Sequence, residues 1–200
     1  MASDSPVLVL VGGPNGCGKS TFARQAARSP LLLGATAINP DEITEVVRTQ
    51  LPHLSRLAAN LVAAERAEKE VWSAIAQARP VAVETVLSTV KYLPIVEAAR
   101  GRGYRSRLIF VAVARVKTAV ERVATRKRGG GHGVPETKIR ARWVRAHDNL
   151  VRFMDAVDDV LVFSNESQEP VLVAERIGAG GRLVFHNRLA LPEVTGRLQA

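Results

Sequence analysis

The segment GGPNGCGKST, residues 12–21, has a composition and spacing that suit the binding of phosphate. It satisfies the pattern G-x-x-x-x-G-K-[ST] in full and directly follows the apolar run PVLVLV. Glycines let successive backbone N–H groups converge on an anion without Cβ clashes, and the helix expected after them adds the positive end of its dipole. We therefore predict a nucleotide site formed by Gly13, Pro14, Asn15, Gly16, Cys17, Gly18, Lys19, Ser20 and Thr21.

Three side chains of this loop carry individual predictions. Lys19 is expected to place its charge on the outer phosphates of ATP or GTP, and the Ser20 hydroxyl is expected to ligate Mg²⁺. Cys17 is interpreted as a small residue that the loop accommodates, rather than as a nucleophile.

A first carboxylate, Asp41, stands in INPDEI after the second predicted strand. It could accept the proton of a substrate hydroxyl as that hydroxyl attacks the γ-phosphate. The same residues also suit a helix start, with Asn39 as N-cap, Pro40 as the first helical residue and Glu42 as the capping-box acid. Asp41 would then favour the helix dipole. The two interpretations are compatible.

A second carboxylate, Glu84, closes the third predicted strand in VAVETV and is followed by Thr85. An apolar strand that ends in an acid is typical of the Mg²⁺ side of phosphate-loop enzymes. The Glu–Thr pair could instead hydrogen-bond the substrate, or lie solvated where strand meets loop. We favour a functional role, because this position should lie beside the glycine loop.

Cations surround a glycine-rich break later in the chain. Arg122 and Arg126 are four residues apart and share a helix face, and RKRGGGHG follows. Phosphoryl transfer needs cations at the migrating group, and a lid needs a hinge. We predict a lid over about 126–137, with Arg126 and Arg128 contacting the nucleotide. The alternative is a solvated basic face that ends at glycines.

Alternating strand-like and helix-like segments must position these residues. The predicted strands are 6–11, 34–38, 79–84, 107–114 and 158–164, and the runs 170–177 and 182–187 should form a hairpin around GAGG. The predicted helices are 19–28, 39–51, 56–78, one around 91–101, 117–127, 135–155 and a terminal helix at 189–200.

This alternation predicts an α/β protein of one domain over 1–200. The fold class is a three-layer P-loop NTPase-type, mostly parallel sheet flanked by helices, with a C-terminal β-hairpin at about 171–186. Ligands of such sheets bind at the carboxyl ends of the strands, which is where the residues above fall.

Composition limits the remaining classes. The chain has 46% hydrophobic residues, one cysteine and no apolar run long enough to span a bilayer, and its start lacks a basic signal-peptide region. A cytoplasmic location is expected. The net charge of +9 attracts anions, nucleic acid included. Aromatic residues do not interleave the basic groups, which disfavours a single-strand binding platform.

Several segments together resemble the zeta-toxin family of phosphate-loop kinases, in its standalone chromosomal zeta-like branch. They are GGPNGCGKST, INPDEI, VETVLS, GYRSRLIFVAV, ERVATRKRGGGHGVPETKIRAR and DDVLVFSN, in the family's order over roughly 7–165. The resemblance implies ATP- or GTP-dependent phosphorylation of a small molecule, with the 3′-hydroxyl of UDP-N-acetylglucosamine as the best-known acceptor. It also implies an antitoxin protein as a partner.

The resemblance assigns roles to particular residues. Lys19 and Ser20 match the phosphate and Mg²⁺ contacts, and Asp41 matches the general base. Glu84 and Thr85 match a substrate-binding pair, Arg122 matches an arginine at the transferring phosphate, and Arg66 matches a substrate-binding arginine. Where the family's toxins have a second phosphate-binding arginine, this chain has His132, so that either Arg126 or Arg128 substitutes or the chemistry differs.

Two other functions fit parts of the sequence. A kinase acting on a nucleic-acid end would use the basic helices to track the backbone. A non-catalytic nucleotide switch would order GGGHG on ATP binding and recruit a protein, although Asp41 and Glu84 disfavour it because a switch needs no substrate base.

Overall fold

The fold is built on a sheet whose strands are connected by helices. The structure is a computed structural model that describes residues 5–27, 29–130, 133–167 and 169–199. Its strands are β1 (Val7–Gly12), β2 (Thr36–Ile38), β3 (Val81–Thr85), β4 (Arg105–Ala112), β5 (Asp159–Ser164), β6 (Val171–Arg176) and β7 (Val184–Phe185). Its helices are α1 (Lys19–Ala26), α2 (Pro40–Gln50), α3 (Arg56–Ala76), α4 (Leu93–Arg100), α5 (Val116–Arg128), α6 (Glu136–Ala156) and α7 (Pro192–Arg197), with a short 3-10 helix at Pro30–Leu32.

The strand order is β2-β3-β1-β4-β5-β6-β7. The pairs from β2 to β5 are parallel, and β6 and β7 are antiparallel to their neighbours. This confirms the predicted mostly parallel sheet and its C-terminal hairpin. Because β1 is flanked by β3 and β4, the loop that follows β1 lies between the carboxyl ends of two other strands.

Both faces of the sheet are covered, which explains why its strands are almost continuously apolar. Leu8 and Leu10 of β1 point into the core that α3, α4, α6 and α7 cover. Val9 and Val11 point into the opposite core, which α1 and the 3-10 helix cover. The three-layer arrangement is therefore as predicted.

Boundaries depart from the predictions where polar residues belong to the sheet or apolar residues do not. Strand β4 begins at Arg105 and ends at Ala112, two residues earlier than predicted at each end. At its start, the side chain of Arg105 is bound across the sheet to Asp159. The terminal helix is limited to Pro192–Arg197, and the 3-10 turn at Pro30–Leu32 was not predicted. No helix in the described part of the chain combines the length and the apolarity that crossing a membrane requires.

An ion cluster at the amino edge of the sheet joins β4 to β5. The carboxylate of Asp159, which is fully buried, accepts hydrogen bonds from Arg105 at 2.9 Å, from Arg107 at 2.9 Å and from the backbone N–H of Gly178 at 2.9 Å. Burial raises the pKa of Asp159, but these hydrogen bonds outweigh burial, and the net effect lowers the pKa below its usual 3.8.

Asp159→Asn is expected to destabilise the protein by about 3–5 kcal/mol, because it leaves a buried guanidinium without its counter-ion. The contribution of Asp159 is present above pH 3.8 and is lost as the pH falls through the lower pKa of the folded state, so the deficit should persist from pH 8 to pH 5. Urea denaturation across that range measures it, with the exposed Asp155→Asn as control. Equal unfolding midpoints for the two variants would contradict the stabilising role.

Candidate active site

The loop between β1 and α1 approaches its neighbours so closely that its glycines cannot be replaced. Gly13 has φ 142°, and a Cβ atom there would lie 2.1 Å from the carbonyl oxygen of Val111. Gly18 has φ 84°, and a Cβ atom there would lie 2.2 Å from Nδ2 of Asn165. The loop is thus pressed against β4 and against the residue after β5. The predicted loop conformation, with backbone N–H groups free to converge, requires glycine at these positions.

Lys19 begins α1 and folds back over the loop. Its ammonium donates a hydrogen bond of 3.0 Å to the carbonyl oxygen of Pro14. Burial lowers the pKa of Lys19 from its ordinary value, and the carboxylates of Glu84 and Asp41 lie near enough to oppose that effect. An anionic phosphate at the loop would favour the charged ammonium in the same way.

Glu84 is the carboxylate to which the loop and α2 both attach. Its Oε2 accepts a hydrogen bond of 2.8 Å from the Ser20 hydroxyl, and its Oε1 accepts one of 3.1 Å from Nδ2 of Asn39. The side chain is buried. Burial raises the pKa of Glu84, although the Ser20 hydrogen bond and the Lys19 charge act in the opposite direction.

The Ser20–Glu84 pair fits a magnesium ion. Mg²⁺ is usually bound by one or two protein oxygens together with water and nucleotide phosphates. In the described part of the chain, no group of three or more His, Cys, Asp or Glu side chains could hold a metal by themselves. The Ser20 hydroxyl and the Glu84 carboxylate to which it donates could supply protein oxygens for Mg²⁺, and phosphate oxygens of the nucleotide would complete the set of ligands.

Asp41 lies at the start of α2, beside this pair. Asn39 caps the helix, since its Oδ1 accepts the N–H of Asp41 at 2.9 Å, and Pro40 is the first helical residue. The N-cap interpretation is therefore confirmed, whereas Glu42 accepts a hydrogen bond of 3.4 Å from the side-chain amide of Asn39 in place of the backbone N–H that a capping box would use. The Asp41 carboxylate is exposed, and it acts electrostatically on both Lys19 and Glu84. The position of Asp41 is compatible with a role as a general base, and that role stays a prediction.

Thr85 contributes first to the local turn. Its Oγ1 accepts the N–H of Leu87 at 3.1 Å, and Leu87 has a positive φ of 57°. Thr85 is paired with Gly12 in the sheet, so it stands directly beside the loop. Contact between Thr85 and a substrate stays a prediction.

Arg122 of α5 braces the site from the far side. Its guanidinium donates to the carbonyl oxygens of Asn165 at 2.8 Å and Glu166 at 3.2 Å. Asn165 in turn donates from Nδ2 to the carbonyl oxygen of Cys17 at 2.8 Å, and its own N–H is bonded to Ala112. The sequence analysis did not identify Asn165 as a functional residue. Its position directly after a buried strand, at the carboxyl edge of the sheet, could have indicated such a role.

Arg142 of α6 also reaches the loop. Its guanidinium donates to Oδ1 of Asn15 at 3.2 Å. The contact shows that at least this residue belongs to the surroundings of the loop.

The other predicted residues lie at different distances from the loop. Arg126 is close enough to act electrostatically on Lys19. Arg128 is exposed and donates to the Thr125 hydroxyl of its own helix. Thr21 is exposed on α1. His132 lies outside the described residues, as does part of the predicted lid.

Arg66 is held away from Asp41 in this structure. Its guanidinium donates to Oε1 of Gln50 at 2.8 Å. Gln50 is the last residue of α2 and Asp41 is the second, so the two lie about 13 Å apart along the helix axis. Binding of substrate by Arg66 stays a prediction that requires this side chain to reorient.

Cys17 is fully buried against Val113, Ala119 and Trp143. Burial raises the pKa of its thiol to about 11. A buried thiol of that pKa is almost wholly protonated near neutral pH and is a poor nucleophile, in agreement with its interpretation as a packing residue.

The profile of the AAA domain family AAA_33 matches residues 8–150, and the chain therefore belongs to that family. These residues include the glycine loop, both candidate carboxylates and the arginines of α5. No curated protein matches the chain by sequence.

Solved structures share the fold at low identity. One chain of a crystal structure of AvrRxo1-ORF1:-ORF2 with ATP superposes with a TM-score of 0.73 at 18% identity, over 96% of this chain and 64% of that chain. The PezAT chromosomal toxin–antitoxin system of Streptococcus pneumoniae gives 0.65 at 17%, over 88% and 73%. A structure of the Pnkp1/Rnl/Hen1 RNA repair complex gives 0.55 at 19%, over 84% and 48%. The resemblance to zeta-toxin-type phosphate-loop kinases is confirmed at the level of the fold.

Glu84→Gln is expected to raise the melting temperature at pH 8, because it removes a buried charge that burial disfavours. The advantage should shrink as the pH falls through the raised pKa of the folded state and should vanish below pH 4.5, where the wild-type carboxyl group becomes protonated in both states. Calorimetry from pH 8 to pH 5 tests this, with the exposed Glu97→Gln as control. A lower melting temperature for Glu84→Gln at pH 8 would contradict the assignment of an unfavourable buried charge.

Arg122→Lys is expected to lower the free energy of unfolding by about 1–3 kcal/mol, because an ammonium cannot reproduce two directed guanidinium hydrogen bonds. Chemical denaturation without nucleotide measures this. Lys117→Gln changes an exposed cation of the same helix and should have little effect. If the free energy of unfolding is unchanged while only phosphoryl transfer falls, the two hydrogen bonds of Arg122 do not contribute to stability.

Proposed function

We propose that this protein is a kinase that transfers the γ-phosphoryl group of ATP or GTP to a hydroxyl group of a small molecule. One observation carries the proposal: Ser20, Glu84 and Asn39 form a continuous hydrogen-bonded path from the phosphate loop to the start of α2, where Asp41 lies. A nucleotide-binding protein without a second substrate has no need of an exposed carboxylate held at that point.

In the proposed reaction, the loop N–H groups and Lys19 hold the β- and γ-phosphates. A magnesium ion at Ser20 and Glu84 would neutralise charge between those phosphates. The hydroxyl oxygen of the acceptor forms a bond to the γ-phosphorus, and Asp41 accepts the proton that this hydroxyl releases. The bond between the γ-phosphorus and the oxygen that bridges it to the β-phosphate breaks. The products are a phosphate monoester and ADP or GDP.

Arg122 and Arg126 support this reaction in different ways. Arg122 fixes the loop through Asn165, so it acts through position, and it would reach a phosphate only by releasing those carbonyl groups. Arg126 lies within electrostatic range of Lys19 and is the better placed of the two to act on phosphate charge directly. We propose Arg126 as the cation that accompanies the migrating group.

A UDP-amino-sugar is the first acceptor to test, because the family resemblance points to it. A partner protein is also proposed, since the neighbouring structures include AvrRxo1-ORF1 with AvrRxo1-ORF2 and a toxin–antitoxin system. The chain spans 64% of the AvrRxo1 chain that it matches, so that neighbour's partner contacts need not have counterparts here.

A nucleic-acid end is the second candidate acceptor. The net charge of +9 and the structural likeness to a chain of an RNA repair complex favour it. Transfer to a 5′-hydroxyl oligonucleotide that falls steeply with salt would support this alternative. Transfer that ignores ionic strength would count against it.

Asp41→Asn should bind nucleotide within about twofold of wild type and lose phosphoryl transfer by about 10²–10⁴-fold, because the amide cannot accept the proton. Labelled ATP with UDP-N-acetylglucosamine, and in parallel with the oligonucleotide, measures transfer, and calorimetry measures nucleotide binding.

Glu45→Gln is the matched control, since it changes an exposed carboxylate one turn further along α2 that pairs with Arg48. It should keep full activity. Unchanged transfer in Asp41→Asn would remove the base assignment, and unchanged nucleotide binding in Lys19→Ala would remove the assignment of the loop.

A further inference from the structure

A cleft that no residue of the glycine loop lines opens beside the site. It encloses about 390 Å³ between the connection from β3 to α4 and the face of α6. Ser88 and Thr89 line one wall, and Arg145, Asn149 and Arg152 line the other. The volume lies within the range of small-molecule sites.

The cleft is attached directly to the phosphate loop. Asn149 donates from Nδ2 to the carbonyl oxygen of Leu87 at 2.9 Å, and this buried bond fixes α6 against the loop after β3. Leu87 packs against Gly12, the residue at the start of the phosphate loop. A molecule in the cleft would therefore lie close to the end of β3, where Glu84 and Thr85 stand.

A row of side chains on one face of α6 runs from the phosphate loop to the cleft. Arg142, Arg145, Asn149 and Arg152 follow at spacings of three, four and three residues, so they share a helix face. Arg142 contacts the phosphate loop at Asn15, and Arg152 lies about 15 Å further along the axis. A line of guanidinium groups thus runs from the nucleotide loop along the cleft.

The cleft is positively charged, and its two arginines are not neutralised by other described residues. Neither Arg145 nor Arg152 forms a hydrogen bond or an ion pair with another residue of the described chain. Asp148, the acid among the lining residues, is already paired with Arg197. Arginine presents a planar set of donors that matches carboxylate and phosphate oxygens.

We propose that this cleft binds an anionic group, carboxylate or phosphate, carried by the phosphoryl acceptor. Arg145 and Arg152 bind the anion, and the hydroxyls of Ser88 and Thr89 provide further donors. The inference rests on the proposed kinase function and narrows its substrate to acceptors that bear a negative charge apart from the reacting hydroxyl. Neutral hydroxyl compounds would leave the two guanidinium groups without a partner and would be poor substrates.

Direct binding tests the cleft without relying on activity. The protein is saturated with ADP and Mg²⁺ so that the phosphate loop is filled, and inorganic phosphate and succinate are titrated separately by NMR. Wild type should show saturable shifts with at least one of the two anions, and the one that binds identifies the class. Arg145→Gln and Arg152→Gln should each weaken that binding about tenfold or more.

Arg140→Gln is the matched control, because Arg140 is an exposed arginine of the same helix that pairs with Glu136. It should bind the anion as wild type does, and unchanged ADP affinity shows that every variant is folded. The proposal is overturned if neither anion binds saturably to wild type, or if the Arg145→Gln/Arg152→Gln double variant binds as wild type does.

A transfer assay separates this inference from the kinase proposal. Glucose, glucose 6-phosphate and gluconate are offered with labelled ATP, and the anionic compounds should be preferred in a manner that depends on Arg145 and Arg152. Arginine-dependent anion binding with no transfer to any hydroxyl compound would uphold the cleft and refute the kinase. Transfer to glucose 6-phosphate and gluconate that is no better than transfer to glucose, and that is unchanged in the double variant, would uphold the kinase and refute the cleft.

Discussion

The hydrogen bond between the Ser20 hydroxyl and the buried carboxylate of Glu84 joins the two halves of the site. It requires β1 and β3 to be adjacent and parallel, because only then does the helix after the first strand begin beside the end of the third. Asn39 uses the other oxygen of the same carboxylate and fixes the start of α2. The position of Asp41 follows from these two bonds.

The loop itself is supported from several elements. Asn165, at the end of β5, holds the carbonyl of Cys17, Arg122 holds Asn165, and Arg142 holds Asn15. Each support comes from an element that follows the loop by more than a hundred residues. The anion-binding conformation therefore depends on the completed sheet as well as on the glycines of the loop, whose left-handed residues would not hold one arrangement unaided.

The fold was predictable because its determinants are local: apolar runs, helical spacing, a strand followed by a glycine loop, and an Asn-Pro helix start. The supporting contacts were not, because nothing in the spacing of Arg122 or Arg142 indicates that one binds carbonyl groups after β5 and the other binds Asn15. The start of β4 was misplaced for a related reason. Arg105 looks like a loop residue until Asp159, more than fifty residues later, supplies its partner.

The two buried carboxylates of the sheet differ in how far their hydrogen-bond donors offset the cost of burial. Asp159, at the amino edge, receives two guanidinium groups and an N–H, and its pKa is lowered despite burial. Glu84, at the carboxyl edge, receives a hydroxyl and an amide, and burial raises its pKa. Neutral donors do not compensate a desolvated charge as cations do. Burial of Glu84 is thus not fully offset by Ser20, Asn39 and the nearby charge of Lys19, and this carboxyl group lies beside the loop where a divalent cation and a nucleotide would arrive together. Proteins accept such a cost where function requires it.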